Sequence, residues 1–393
     1  MKYLLMNKNT KVALIEFDEQ NNSITKIIEI YNIDYAPMCL INENKNKVGN
    51  NLKVLNNWYK GRGIPSWRKD VEDLLTRLGV SSPEELLNKS YGLSLSDQYW
   101  MKAEYQANLK WKDINFFTND FKYKGYFNAS FSSDSKDEQI DLHSPNNTTD
   151  GMLRKAWIIE DGKRILVKGT YSNSLQEPIN EWLASQICKR LELDYCDYKI
   201  DILNNRLVSK CDDFINENEE LVTAEDVYFS EKKQNNENDI EYYIKILKKH
   251  NIENAEHQLK GMFLVDYIML NYDRHLKNFG IIRNVNTLKW EKQAPIFDTG
   301  ESMECDKLLN EINFNDREGK FFTNTSKLFS EIIKYINTKE YNLENLKDIP
   351  EIYEQQLIKY KDYTDISDER ITKLVSGIKN RIDMLCNKEK SFK

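Results

Sequence analysis

Short runs in which apolar and β-branched residues alternate with polar ones open the chain. Val12–Phe17 and Ile24–Ile30 are two such runs, and Glu19-Gln20-Asn21-Asn22 between them predicts a hairpin. The pattern then changes to helical spacing over Trp67–Gly79 and Pro83–Asn88. Ser82-Pro83-Glu84-Glu85 sets a proline and two acids in a first turn. Residues 132 to 151 break the pattern with Ser132-Ser133-Asp134-Ser135-Lys136-Asp137 and then Ser144-Pro145-Asn146-Asn147-Thr148-Thr149-Asp150-Gly151, either a linker or a functional loop. Strand-like runs return at Ala156–Glu160 and Arg164–Lys168 around the turn Asp161-Gly162. A helix is predicted from about Pro178 to Leu191, where Ile179, Trp182, Leu183, Ile187 and Leu191 recur on one face. Tyr198–Leu203 and Arg206–Lys210 flank Asn204-Asn205 as a further hairpin. From Asp239 onward helices dominate, interrupted by one small hairpin, Gly280–Arg283 and Leu288–Trp290, and Lys327 to Asn387 reads as amphipathic helix.

This order predicts an α+β protein of two lobes with an extra module in front. Residues 1–130 form an N-terminal α+β module, regulatory or partner-binding. Residues 140–211 form a small β-rich lobe, and residues 212–393 a mostly helical one.

Composition narrows the class only slightly. The 393 residues are 40% hydrophobic and 30% charged, as in ordinary globular proteins, and the net charge of −7 argues against a general nucleic-acid coat. Six cysteines are scattered without a Cys-x-x-Cys pair, which suggests reduced thiols rather than a disulfide framework or a zinc site. The start, Met1 to Lys8, turns polar too early for a secretory signal. The longest apolar run, around Met262 to Leu270, is far below the roughly 20 residues that span a bilayer. A cytoplasmic location follows as the expectation, without membrane or direct nucleic-acid contact.

The chemistry is concentrated in Leu270-Asn271-Tyr272-Asp273-Arg274-His275-Leu276-Lys277-Asn278-Phe279-Gly280. Phosphoryl transfer to a hydroxyl needs a carboxylate to orient the nucleophile and oxygen ligands for Mg²⁺. Asp and Asn five positions apart on one loop, with a second Asp after a short hairpin, supply both. Asp273 and Asn278 have that spacing, and Asp298-Thr299-Gly300 follows the hairpin. The pairs Asp141…Asn146 and Asp213…Asn218 share the spacing but follow no apolar helix and precede no Asp-x-Gly. His275, beside Asp273, is suited to orienting it or to touching phosphate. There is no Gly-x-x-x-x-Gly-Lys-Ser/Thr stretch, which disfavours a P-loop NTPase.

Asp273-Arg274-His275-Leu276-Lys277-Asn278 followed by Ala294-Pro295-Ile296-Phe297-Asp298 resembles bacterial HipA-type serine/threonine kinases over roughly residues 140 to 390. The resemblance implies a two-lobed kinase-like fold that uses ATP and Mg²⁺. It implies Asp273 as catalytic base with His275 and Lys277 beside it, and Asn278 and Asp298 as metal ligands. Lys168 would hold the α- and β-phosphates. Its glutamate partner is Glu181, although Glu181 lies nearly opposite the Ile179/Leu183/Ile187 stripe and Glu177 is a rival. Thr149 and Gly151 fall in the phosphate-loop position, and Ser209 and Cys211 fall where a hinge would meet adenine. The family further implies a protein acceptor such as a translation factor or tRNA synthetase, autophosphorylation at Ser144, Thr148 or Thr149, and a small DNA-binding antitoxin. Asp273-Arg274-His275-x-x-Asn278 is equally similar to phosphoinositide kinases, so a lipid or small-molecule kinase is one rival reading and a nucleotide-binding pseudokinase another.

Overall fold

The computed structural model describes residues 1–46, 51–68, 70–131, 140–322 and 325–390. The first half of the polar break, Ser132 to Asp137, lies outside the described residues. The chain forms an α+β protein whose small β-rich and larger helical lobes meet beside an N-terminal sheet.

The N-terminal strands β1 (Lys2–Asn7), β2 (Thr10–Asp18), β3 (Ser23–Ile30) and β4 (Tyr99–Ala103) make an antiparallel sheet in the order β3-β2-β1-β4. The hairpin read from the sequence is β2–β3. Strands β1 and β4 were not anticipated, because Leu4, Leu5 and Met6 are buried consecutively and so hide the alternation. Helices α1 (Met38–Asn46), α2 (Asn51–Lys60), α3 (Val71–Leu78), α4 (Pro83–Lys89), α5 (Trp111–Ile114) and α6 (Lys124–Phe131) complete this part. Helix α4 starts as its sequence predicts: the Ser82 Oγ accepts from the Glu85 N–H at 3.2 Å, and Glu85 Oε2 accepts from the Ser81 N–H at 2.9 Å. Helix α3 starts later than the periodicity suggests, at Val71 rather than Trp67. Asp70 has a left-handed φ of 61°, which cannot continue a helix backwards.

The small lobe is a second antiparallel sheet, order β5-β6-β8-β7, built from β5 (Lys155–Glu160), β6 (Lys163–Lys168), β7 (Lys199–Leu203) and β8 (Arg206–Asp212). Both of its hairpins turn on residues with positive φ, Asp161 (50°) with Gly162 (78°) and Asn204 (49°) with Asn205 (59°). Such turns match the right-handed twist of the strands they join. Helix α7 (Glu177–Arg190) packs on this sheet.

The helical lobe contains α8 (Ala224–Tyr228), α9 (Asp239–Lys249), α10 (Ala255–Met269), α11 (Phe329–Ile332), α12 (Ile349–Lys359) and α13 (Asp368–Lys390). Its hairpin, β10 (Gly280–Asn284) and β11 (Trp290–Gln293), is joined by β9 (Glu219–Thr223) into a three-stranded sheet. A further hairpin pairs β12 (Glu318–Lys320) with β13 (Ser326–Leu328). Neither β9 nor β12–β13 was expected, since strands this short leave too few residues to display a period. The stretch from Lys327 is likewise not one helix; short 3₁₀ turns at Ile333–Tyr335, Thr338–Glu340, Leu343–Leu346 and Lys361–Tyr363 divide it. No helix among the described residues is long and apolar enough to cross a membrane.

The N-terminal sheet is bolted to the rest through β9. Arg283 and Glu220 form a buried ion pair, and Arg283 also donates to the Tyr99 hydroxyl at 3.2 Å. The Leu221 N–H donates to the Ser96 carbonyl at 2.9 Å, and Gln98 Nε2 donates to the Glu219 carbonyl at 2.5 Å. Gly280 makes the close approach of β10 to β9 possible, because a Cβ there would stand 2.1 Å from the Val222 carbonyl oxygen. That obstacle is backbone and cannot rotate away. Gly280→Ala is therefore expected to destabilise the protein by at least about 3 kcal/mol, beyond ordinary overpacking. Urea unfolding with a midpoint unchanged from the parent would contradict this packing.

Candidate active site

Lys168 is the last residue of β6, and its fully buried ammonium lies between two carboxylates. It donates to Glu181 Oε1 on α7 and to Asp298 Oδ1, the latter at 2.5 Å. Ser209, opposite Lys168 in the β6–β8 register, donates its hydroxyl to the other Glu181 oxygen. The helical-wheel objection to Glu181 dissolves because α7 is buried on two faces. Ile179, Leu183 and Ile187 are enclosed on one side, and Glu181 and Ser185 on the other. Glu177 is committed elsewhere, accepting from the Tyr171 and Ser172 N–H groups. The structure therefore pairs Lys168 with Glu181 and not with Glu177.

Burial works against the charge on Lys168, but Asp298 and Glu181 outweigh it and push the ammonium above its ordinary range. Burial would likewise raise the Asp298 carboxyl; Lys168 and then Lys155 overcome that and hold it well below the usual carboxylate range. Asp298 has a left-handed φ of 57°, unusual outside glycine, and its N–H donates to the Tyr198 hydroxyl at 3.2 Å.

The loop carrying Asp273 leaves α10 through Leu270, itself at a φ of 53°. Arg274 is the centre of this loop. Its guanidinium is buried and grips Asp266 of α10 at 2.9 and 3.0 Å. Its Nη1 donates to the Asn278 carbonyl at 2.6 Å and to the Phe297 carbonyl at 2.7 Å. One side chain thus ties helix, loop and the residue before Asp298. Because it faces inward, Arg274 does not distinguish a lipid acceptor from a protein one. Asn278 Nδ2 donates to the Asp273 carbonyl at 2.9 Å, which leaves Oδ1 as the atom a hard cation would take. Asp273, Asn278 and Asp298 are in this way brought to one cleft.

His275 lies 3.8 Å from Asp273 through Nε2, and its Nδ1 accepts the Lys277 N–H at 3.2 Å. That bond assigns the proton of the neutral ring to Nε2, facing Asp273. Burial lowers the pKa of His275, with Asp273 opposing, so the ring is neutral at pH 7. Glu301 was not foreseen: burial, Asp273 and Asp298 raise its carboxyl to about 7. Only its spacing of three from Asp298 could have drawn attention to it.

Four expectations need correction. Lys277 is exposed; the ammonium that meets Asp273 belongs to Lys320. Ser209 is no hinge residue, because β8 continues to Asp212 and places it inside the sheet as the Glu181 partner. Cys211 pairs with Leu166 within the sheet rather than standing at a hinge, and packs with Cys196, Tyr198, Phe214 and Phe297 in an apolar cluster. Thr149 is held away from the cleft. Its hydroxyl donates to the Asn146 carbonyl at 3.1 Å and accepts from Arg68 at 3.1 Å.

Arg68 is the clamp on the phosphate-loop segment. It is buried, donates also to the Thr149 carbonyl and reaches the Gly151 carbonyl at 2.8 Å; burial draws its pKa down to about 10. Asn147 and Thr148 are bonded to the Leu86 and Leu93 carbonyls, so this loop is pinned to the N-terminal part. Gly151, at a φ of 90°, leaves room for the Lys155 ammonium, which would stand 2.8 Å from a Cβ there.

Among the described residues no cluster of three or more His, Cys, Asp or Glu side chains is built to hold a metal. The donor set does fit Mg²⁺ delivered with a nucleotide. Asn278 and the ionised Asp298 would supply two oxygen ligands, and Mg²⁺ usually takes one or two from protein and the rest from phosphates and water.

A buried Lys–Glu pair on a small sheet, an Asp-and-Asn loop after an apolar helix and a second Asp across the cleft define a protein of the kinase-like class. The model of the HipA-like C-terminal domain matches residues 148–359, and the chain belongs to that family. The serine/threonine-protein kinase CtkA of Helicobacter pylori is 31% identical over 151 residues, covering 34% of this chain and 45% of that protein. The chain thus matches about half the length of this curated relative. The crystal structure of CtkA, described as a proinflammatory kinase, is 20% identical with a TM-score of 0.46, over 61% of this chain and 94% of that one. HipA of Shewanella oneidensis, solved with HipB and operator DNA, is 12% identical with a TM-score of 0.47, over 98% and 97%.

Arg274→Met should cost about 3–5 kcal/mol, because Asp266 is left as a buried, uncompensated charge. Adding Asp266→Leu should recover part of that loss, since it removes the unpaired charge while the Asn278 and Phe297 carbonyls still lack their donor. A double-mutant cycle by denaturant unfolding with no coupling between the two sites would refute the role given to this pair.

Proposed function

We propose that this chain is an ATP- and Mg²⁺-dependent serine/threonine protein kinase. The observation that carries the reading is the convergence on one cleft of the Lys168–Glu181 pair, Asp298 and the Asp273 loop, with Arg274 tying the last two. Lys168, held by Glu181, anchors the α- and β-phosphates. The apolar cluster of Leu166, Cys211, Phe214 and Phe297 is the surface on which the adenine packs in this reading. Asn278 and Asp298 hold Mg²⁺, which supplies charge neutralisation on the phosphates. Asp273 accepts the proton of the acceptor hydroxyl, whose oxygen bonds to the γ-phosphorus as the bond to the β–γ bridging oxygen breaks and ADP leaves. The Nε2–H of His275 faces Asp273 and orients it.

Family membership is the ground for the finer parts of the proposal. These are a protein acceptor from the translation machinery, a small DNA-binding antitoxin as partner, and action in the cytoplasm. The N-terminal part is proposed to anchor the phosphate loop through Arg68. Autophosphorylation within that loop is proposed at Thr148, the least buried of Ser144, Thr148 and Thr149. Its hydroxyl is engaged by the Leu93 and Pro145 carbonyls, so the loop must detach to react.

Asp273→Asn and Asp298→Asn are each expected to lower phosphate transfer from labelled ATP at least about 10³-fold while the fold is retained by circular dichroism, Asp298→Asn with a lower unfolding temperature because it gives up the ion pair with Lys168. Transfer at the parent rate in both variants would end the reading, and ATP binding without transfer to any acceptor would favour a pseudokinase. Incubation with ATP should also add phosphate to Thr148. Peptide mass spectrometry that finds residues 144–151 unmodified in an active preparation would remove that part of the proposal.

A further inference from the structure

Asp273 Oδ1 accepts a hydrogen bond from Lys320, a residue 47 positions further along the chain. The placement is rigid where it needs to be. The Lys320 N–H donates to the Tyr272 carbonyl at 3.0 Å, so β12 is bonded to the residue before Asp273. Phe321 and Phe322, which follow, are fully buried against Phe263 of α10. Gly319, which precedes, would bring a Cβ to 2.9 Å from the Phe329 ring. Between these anchors the Lys320 side chain is half exposed, and an ion pair so exposed adds little to stability. The lysine inside the loop itself, Lys277, is exposed, and the ammonium bonded to Asp273 is that of Lys320.

We propose that Lys320 is the positioning and charge-stabilising lysine of phosphoryl transfer, a role the loop motif alone would give to Lys277. This deepens the kinase reading and rests on it. Without an acceptor, the ammonium neutralises Asp273 and holds its carboxylate in place. When the acceptor hydroxyl takes the Oδ1 position, the four-carbon stem lets the ammonium move to the oxygens of the transferred group. There it offsets negative charge while Asp273 receives the hydroxyl proton, the new oxygen–phosphorus bond forms and ADP departs. No bond to Lys320 forms or breaks.

The test uses the full chain with Mg²⁺, labelled ATP and casein as acceptor, self-transfer being counted alongside. Lys320→Ala should lower kcat by about 10²-fold, the scale of losing one aimed donor, with KM for ATP changed less than about threefold. Lys320→Arg should recover at least about tenfold of that loss, because it restores a cation. Lys327→Ala, a cation on the facing strand β13, should stay within about twofold of the parent, which separates charge at Asp273 from integrity of the hairpin. Lys320→Met should behave as Lys320→Ala and guards against a folding artefact in either variant. A kcat for Lys320→Ala within threefold of the parent overturns the inference, as does a loss confined to KM, an equal loss in Lys327→Ala, or a larger loss in Lys277→Ala. A parent protein that transfers phosphate and loses it in Asp273→Asn while Lys320→Ala stays active sinks this inference alone. A parent that transfers none sinks the kinase reading and this with it.

Discussion

The guanidinium of Arg274 is buried, and its charge is balanced by one carboxylate, Asp266, on the helix that delivers the loop. Taking both charges out of water is costly, and the pair is supported by two backbone carbonyls that accept from Nη1. Those carbonyls belong to Asn278 and Phe297, so satisfying the arginine also sets the Asn278 loop and the segment before Asp298 against each other. A hydrophobic substitute of equal volume could fill the space but would leave two backbone oxygens without donors. The catalytic arrangement is in this sense a by-product of solving one buried-charge problem.

A second buried charge, Lys168, organises the other wall. Its two carboxylates come from α7 and from the segment after β11, so sheet, helix and helical lobe share one ammonium. A nucleotide entering the cleft would compete with Asp298 for that ammonium, since phosphate and carboxylate seek the same donors. The exposed side of the cleft carries the weaker and more movable pair, Lys320 with Asp273. The strong pairs are buried, and the half-exposed one is open to solvent at Asp273.

The N-terminal part enters this scheme through apolar cores it shares with both lobes and through specific hydrogen bonds. Arg68 holds the loop at Thr149 and Gly151, while Arg283, Glu220 and Tyr99 join β4 to β9 and β10.

Local chemistry was legible from the amino-acid order. The turns at Asp161-Gly162 and Asn204-Asn205, the apolar helix ending near Asp273, the Asp273-to-Asn278 spacing and the lysine closing β6 are each set by residues close in sequence. What stayed hidden were the pairings across distance. Strand β8 runs on to Asp212, and this placed Ser209 on Glu181 and Cys211 within the sheet rather than at a hinge. Lys320 displaced Lys277 at Asp273, and Arg68 took Thr149 out of the cleft. Short-range order decides which dihedral angles a segment prefers, and so which elements form. Which charge meets which is decided only when the chain folds back, because a buried ion must take the nearest counter-charge that packing leaves within reach.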